Sequence, residues 1–164
     1  MSNKTSRVAE GVGVQNNQLV LVGGVSWTNP RWHGSFYPDD LPDDWMLSYY
    51  NTQFQAVFLP RSIWQTVSES SWLEWLNDTQ DGFYFVLESA DEGAALPASE
   101  RLLRASPAWI NDHVWWLDEA PDLRALAQRI TRQVGAGEPL FVFSRSGDLG
   151  LMQQVNLLKQ VMGY

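Results

Sequence analysis

The chain has 164 residues, no cysteine, and 11 Lys and Arg against 19 Asp and Glu, a formal charge of −8. That length suits one domain with a real core, and the missing thiols exclude disulfides, thiolate nucleophiles and Cys-bound zinc or iron–sulfur centres. The negative charge repels phosphate backbones and anionic bilayers, so neither nucleic acid nor a membrane is expected as partner.

The basic residues are scattered, with no run of four, and no patch offsets the overall charge. Nine Trp require either a thick aromatic core or an aromatic binding surface. Residues 1–17 are polar, aperiodic and lack the apolar stretch of a signal peptide, which predicts a disordered leader and, by default, a cytoplasmic protein. Residues 18–164 are expected to form a single α/β domain.

Leu19–Val22, extending to about Ser26, is the first predicted strand, and its unbroken apolar character suits a parallel sheet covered on both faces. A turn-rich loop, residues 23–42, follows with two Trp, His33, Arg31 and three Pro. Pro42-Asp43-Asp44 reads as a helix start and Trp45–Thr52 as its body. Gln55–Leu59 is a second strand stopped by Pro60, with Ser62 as the expected cap of a helix that divides near Ser68–Ser71.

Phe83–Leu87 is a third strand after the Asp81-Gly82 turn. Residues 90–98 read as a loop, and Ser99–Arg104 as one or two helical turns before Pro107. His113–Leu117 is a fourth strand, Asp118–Asp122 opens an amphipathic helix ending at Gly135/Gly137, Pro139–Ser144 is a fifth strand, and Leu149–Met162 a last helix. Five strands alternating with helices predict an α/β fold with a mainly parallel five-stranded sheet flanked by helices.

Loops leaving the strands' C-terminal ends are where such folds place their sites. His33 is a candidate ligand or general base there, against the alternative of a loop histidine bonded to backbone; His113 is expected at the sheet's opposite edge. Asp39, Asp40, Asp43 and Asp44 read as a solvated helix start, since Pro42 breaks any calcium-loop spacing. Ser144-Arg145-Ser146-Gly147-Asp148 lies between strand and helix, so its N–H groups and Arg145 suit an anion, against the alternative of a capped turn with Ser146 or Asp148 as N-cap. Glu88 closes the third strand and is the carboxylate to watch. Neither Gly-x-Gly element sits in a dinucleotide-binding context, and no Gly-x-Ser-x-Gly elbow is present. No cofactor or metal is expected.

Gly23-Gly24-Val25-Ser26-Trp27 followed by Pro30-Arg31-Trp32-His33-Gly34-Ser35-Phe36-Tyr37-Pro38 resembles the N-terminal signature of the YecE-like family, a TIM-barrel family of unknown function, domain-of-unknown-function family seventy-two. Tyr49-Tyr50, Phe54 and the Asp81–Phe85 stretch are similar to its next elements, and residues 113–162 to its last ones. A full barrel needs about 250 residues. The resemblance therefore implies a truncated TIM barrel with its middle units lost, the last strand beside the first, and the order 3-2-1-5-4. It also implies two free edges, hence a homodimer or another protein partner.

The family's polar strand-end residues are replaced here by Phe58–Ser62, Glu88–Asp91 and Ser144-Arg145. The resulting expectation is a non-catalytic interaction or small-ligand-binding protein, with Trp27, Arg31, Trp32, His33 and Arg145 facing a small anionic ligand. The alternative is a hydrolase-like enzyme on a small substrate using His33 with Glu88 or Asp91 and Arg145 as anion clamp.

Overall fold

The computed structural model describes residues 18–89 and 95–164; the leader at 1–17 and Asp91 lie outside them. Six strands form one parallel sheet: β1 Val20–Val25, β2 Ala56–Leu59, β3 Tyr84–Glu88, β4 Leu102–Ala105, β5 Val114–Trp116 and β6 Leu140–Ser144. Their order is β4-β3-β2-β1-β6-β5, so the first strand lies between the second and the last. That adjacency is what closing a barrel across lost middle units produces, and the sheet is a curled half-barrel.

The expected order is thus present with one strand added. Ser99–Arg104 was expected to be helical, but its second half, with Ala105, forms β4 and pairs in parallel with Phe85–Glu88. Helix propensity loses to the open edge of β3, and Arg101 fixes the approach by donating to the carbonyls of Leu76 and Gln80 and to Thr79 Oγ1.

Four helices, α1 Met46–Asn51, α3 Glu69–Asp78, α5 Leu123–Gly135 and α6 Leu149–Val161, cover the outer face. They bury Tyr50, Trp72, Leu126, Ile130, Met152 and Val155 against Val20, Val22, Val57, Phe85 and Val142. The period-two alternation of the strands sends Leu21, Phe58, Tyr84, Val86, Phe141 and Phe143 to the inner face instead. Of the nine Trp, four are buried, four partly buried and only Trp45 exposed, so most serve the core.

Helix α4, Pro107–His113, replaces the lost barrel units. A flat sheet of this size would hold its edges about 24 Å apart, whereas a helix of this length reaches about 10 Å. Since α4 leads directly from edge strand β4 to edge strand β5, the sheet must curl. Its Trp109 and Ile110 then pack on the inner face, with the Trp109 ring 5.5 Å from that of Phe141. His113, expected to open a strand, is the last residue of α4; Nδ1 lies 3.1 Å from the Trp109 carbonyl and Nε2 3.1 Å from Glu138.

Smaller boundaries differ for local reasons. The Asp43-Asp44 segment makes a 3-10 turn, Asp43–Trp45, before α1. Ser62 lies inside α2, Arg61–Trp64, whose N-cap is Pro60, while Ser68 caps α3 by accepting from Ser71 N. Asp122 caps α5, and Gly137, at φ 74°, turns the chain after that helix.

Tyr50 joins helix to sheet. Its hydroxyl donates to Ala56 O at 2.7 Å and accepts from Gly24 N at 2.9 Å. Glycine at 23 is required there, because a Cβ would fall 1.8 Å from the Ala56 carbonyl oxygen and 2.6 Å from that hydroxyl. No helix among the described residues is long and apolar enough to cross a membrane.

Candidate functional site

The strands' C-terminal ends gather the loop after β1, the turn after β6 and the residues after β5. The β6–α6 turn, Ser144–Asp148, has the shape an anion cradle needs: Gly147 at φ 74° and Asp148 capping α6 by accepting from Leu151 N at 3.1 Å. A carboxylate from the chain itself fills it. Asp118 Oδ1 accepts from Arg145 N; Oδ2 accepts from Ser146 N at 3.2 Å, Ser146 Oγ at 2.6 Å and Ser144 Oγ at 3.1 Å. Desolvation pushes this carboxyl's pKa up, but the hydrogen bonds from Ser146, Arg145 N and Ser144 outweigh it and hold the group below its ordinary value.

The loop after β1 locks onto the same turn. Asn29 Nδ2 donates to Ser146 O at 3.0 Å, Arg31 Nη2 donates to the same oxygen, and Trp32 Nε1 donates to Gly147 O at 2.9 Å. Asn29 Oδ1 accepts from Arg31 N and caps the 3-10 turn Pro30–Trp32 that aims these groups. Ser26, leaving β1, takes a left-handed φ of 64°, and Tyr37 Oη ties back to Trp27 O at 2.6 Å. Burial raises the Tyr37 phenol above the ordinary tyrosine range, so it stays a donor.

Arg145 sits over Trp116, its guanidinium carbon 3.7 Å from the ring centroid, and its Nε is 3.4 Å from Glu119 Oε2. Trp116 in turn contacts Phe58 and Phe143 at 5.2 and 5.9 Å between ring centroids, so Arg145 covers an aromatic stopper over the apolar interior.

The structure therefore brings Arg31, Trp32 and the turn bearing Arg145 together. Trp27 and Trp32 are 8% and 1% exposed, with Trp27 set edge-on against Trp75 and Phe85, so both rings face core rather than solvent. His33 is exposed and bridges through its backbone to Tyr37. Glu88 Oε1 accepts from Arg61 N at 2.9 Å, serving the start of α2, and its carbonyl accepts from Trp64 Nε1. No hydrogen bond or ion pair among the described residues joins any two of His33, Glu88 and Arg145. Nor does any group of three or more His, Asp and Glu converge as metal ligands among those residues.

In the sequence Asp118 reads as a candidate carboxylate only in a pair with Glu119 at the opening of α5, not as the partner of the β6–α6 turn. Its position directly after a buried strand was the available signal.

No curated protein and no solved structure matches the chain. A family model described as a protein of unknown function, DUF72, matches residues 21–91, which run from β1 past β3 and include the Trp-Pro loop and Tyr50. The resemblance carried by Gly23–Pro38 is thus matched by that family model over residues 21–91, within a chain whose sheet is a half-barrel.

Proposed function

We propose that this is a non-catalytic interaction or small-ligand-binding protein built on a shortened barrel. One observation carries the reading: the Asp118 carboxylate occupies the N–H groups of residues 145 and 146, where a barrel enzyme would hold its substrate's anion. The inner face below that mouth is lined by apolar and aromatic side chains and stoppered by Trp116. The hydrolase alternative would need His33, Glu88 or Asp91, and Arg145 around one substrate. Glu88 serves α2 and Arg145 lies on Trp116, while Asp91 lies outside the described residues.

The exposed groups this leaves on the rim include His33, Arg31 and Arg145, the last beside Glu119, which suit a partner protein carrying acidic side chains. The test is an inorganic phosphate titration followed by backbone amide NMR. The reading expects no saturable shift at Arg145 and Ser146 in the native chain and a saturable one in Asp118→Ala. Saturable binding at those amides in the native chain would sink it.

For assembly we infer a weak homodimer. Among the described residues, β4 and β5 are the ends of the sheet order and offer only four and three residues to a neighbour.

A further inference from the structure

Away from the mouth, a groove of about 440 Å³ opens at the strands' N-terminal ends, a size that accepts a small organic molecule. Gln53, Gln55, Gln153, Asn156, Gln160 and Lys159 line it, together with Leu157 and Tyr164. In a chain of net charge −8, this groove has five amides, one ammonium and no acidic side chain in its wall, its one carboxylate being the backbone terminus of Tyr164, and no carboxylate among the described residues is bonded to the ammonium.

Lys159 is only 7% exposed. Its Nζ donates to Val20 O at 2.7 Å and Gln55 Oε1 at 3.0 Å, both neutral acceptors. Three N–H groups meet two acceptors, so one donor and an uncompensated charge are left for the groove. Burial lowers this ammonium's pKa to about 8, as expected of a cation without an anionic neighbour.

One turn earlier on α6, Asn156 Nδ2 donates to Gln53 O at 2.8 Å, while its Oδ1 is buried with no protein donor. The groove thus offers a spare cationic donor and a spare amide acceptor. A ligand matching both carries a negatively charged acceptor and a hydroxyl donor. A dianion is disfavoured, because Lys159 lies in the last turn of α6, at the negative end of its dipole.

We propose that this groove binds a small hydroxy-monocarboxylate, with its carboxylate on Lys159 Nζ and its hydroxyl donating to Asn156 Oδ1. The site is separate from the mouth, and its failure leaves the reading of Asp118 and the cradle untouched.

The test uses the full chain and sodium glycolate, with sodium acetate and sodium chloride at equal ionic strength, followed at the Lys159 side-chain resonances by NMR. Glycolate should give a saturable shift and raise the Lys159 pKa, acetate should bind more weakly, and chloride should give no saturable shift. In Asn156→Leu the preference for glycolate over acetate should vanish while carboxylate binding persists. In Lys159→Gln affinity, read at the Asn156 side-chain amide, should fall at least about tenfold. No saturable shift at Lys159 in the native chain, or equal shifts from glycolate and chloride, overturns the proposal whether or not the variants fold. A saturable shift from phosphate stronger than that from glycolate also overturns the monoanion assignment.

Discussion

Asp118 and Ser146 are joined twice, backbone to carboxylate at 3.2 Å and hydroxyl to carboxylate at 2.6 Å, across 28 residues of sequence. This pair ties the end of β5 to the turn after β6. Asp118→Ala should lower stability by about 1 kcal/mol, roughly 3 °C in melting temperature. Added phosphate should restore part of the loss in the variant and do nothing for the native chain, as read by thermal unfolding.

Asp118 also gives a pH signature. Its folded pKa is depressed, so its contribution is present at neutral pH and disappears as pH falls through the folded value, below the ordinary carboxylate range. The stability difference between the native chain and Asp118→Asn should therefore shrink at acid pH, in urea unfolding followed by Trp fluorescence.

Lys159 works in the opposite sense to a cation that gains a partner. Its pKa is about 8 in the folded chain against 10.5 for a free lysine, so the unfolded chain holds more protons between those values. Its contribution to stability should rise with pH across that window, and Lys159→Met should remove the rise. Urea midpoints measured across it decide the matter; a flat difference between the two chains would contradict the assignment.

Gly147 is the tightest point of the mouth. Any Cβ there would meet Asn29 Nδ2 at 2.3 Å and the Trp32 ring at 3.0 Å, in a left-handed conformation. Gly147→Ala should cost about 2–3 kcal/mol and shift the Trp32 indole N–H resonance, because the Trp32–Gly147 bond must give way.

Tyr50→Phe leaves Gly24 N and Ala56 O without their shared partner inside the core. A loss of about 1–3 kcal/mol is expected, seen as a lower urea midpoint. Burial holds the hydroxyl protonated well above the ordinary tyrosine range, so the loss should be the same at pH 6 and pH 9.

The strands that could be located in advance were those whose residues are buried on both faces, such as Val20–Val22 and Tyr84–Leu87, because burial on both faces leaves an unbroken apolar run. Leu102–Ala105 was not legible. Its residues favour a helix in isolation, and only the unpaired side of β3 makes them a strand. His113 was misplaced by one element because a helix of seven residues ending against a strand has no periodicity long enough to show. At the mouth, Arg31 and Trp32 were visible as a motif and Asp118 as half of an acidic pair with Glu119, but its true partners were not, since a carboxylate accepting backbone N–H groups from a distant turn leaves no local pattern. Lys159 was hidden likewise, looking like any helix-terminal cation until the fold set it under Val20.

Strand β1 sits mid-sheet, and its two neighbours are far apart in sequence: Gly23 pairs with Ala56, whereas Val20 pairs with Leu140. The first contact closes a short loop and the second a loop of over a hundred residues, which makes the second the slow step of folding. During synthesis the backbone edge of β1 meant for β6 must wait, unpaired, until Leu140–Ser144 has left the ribosome. The same adjacency that marks the chain as a shortened barrel leaves its central strand the last to be completed, and this nascent edge is where aggregation would begin.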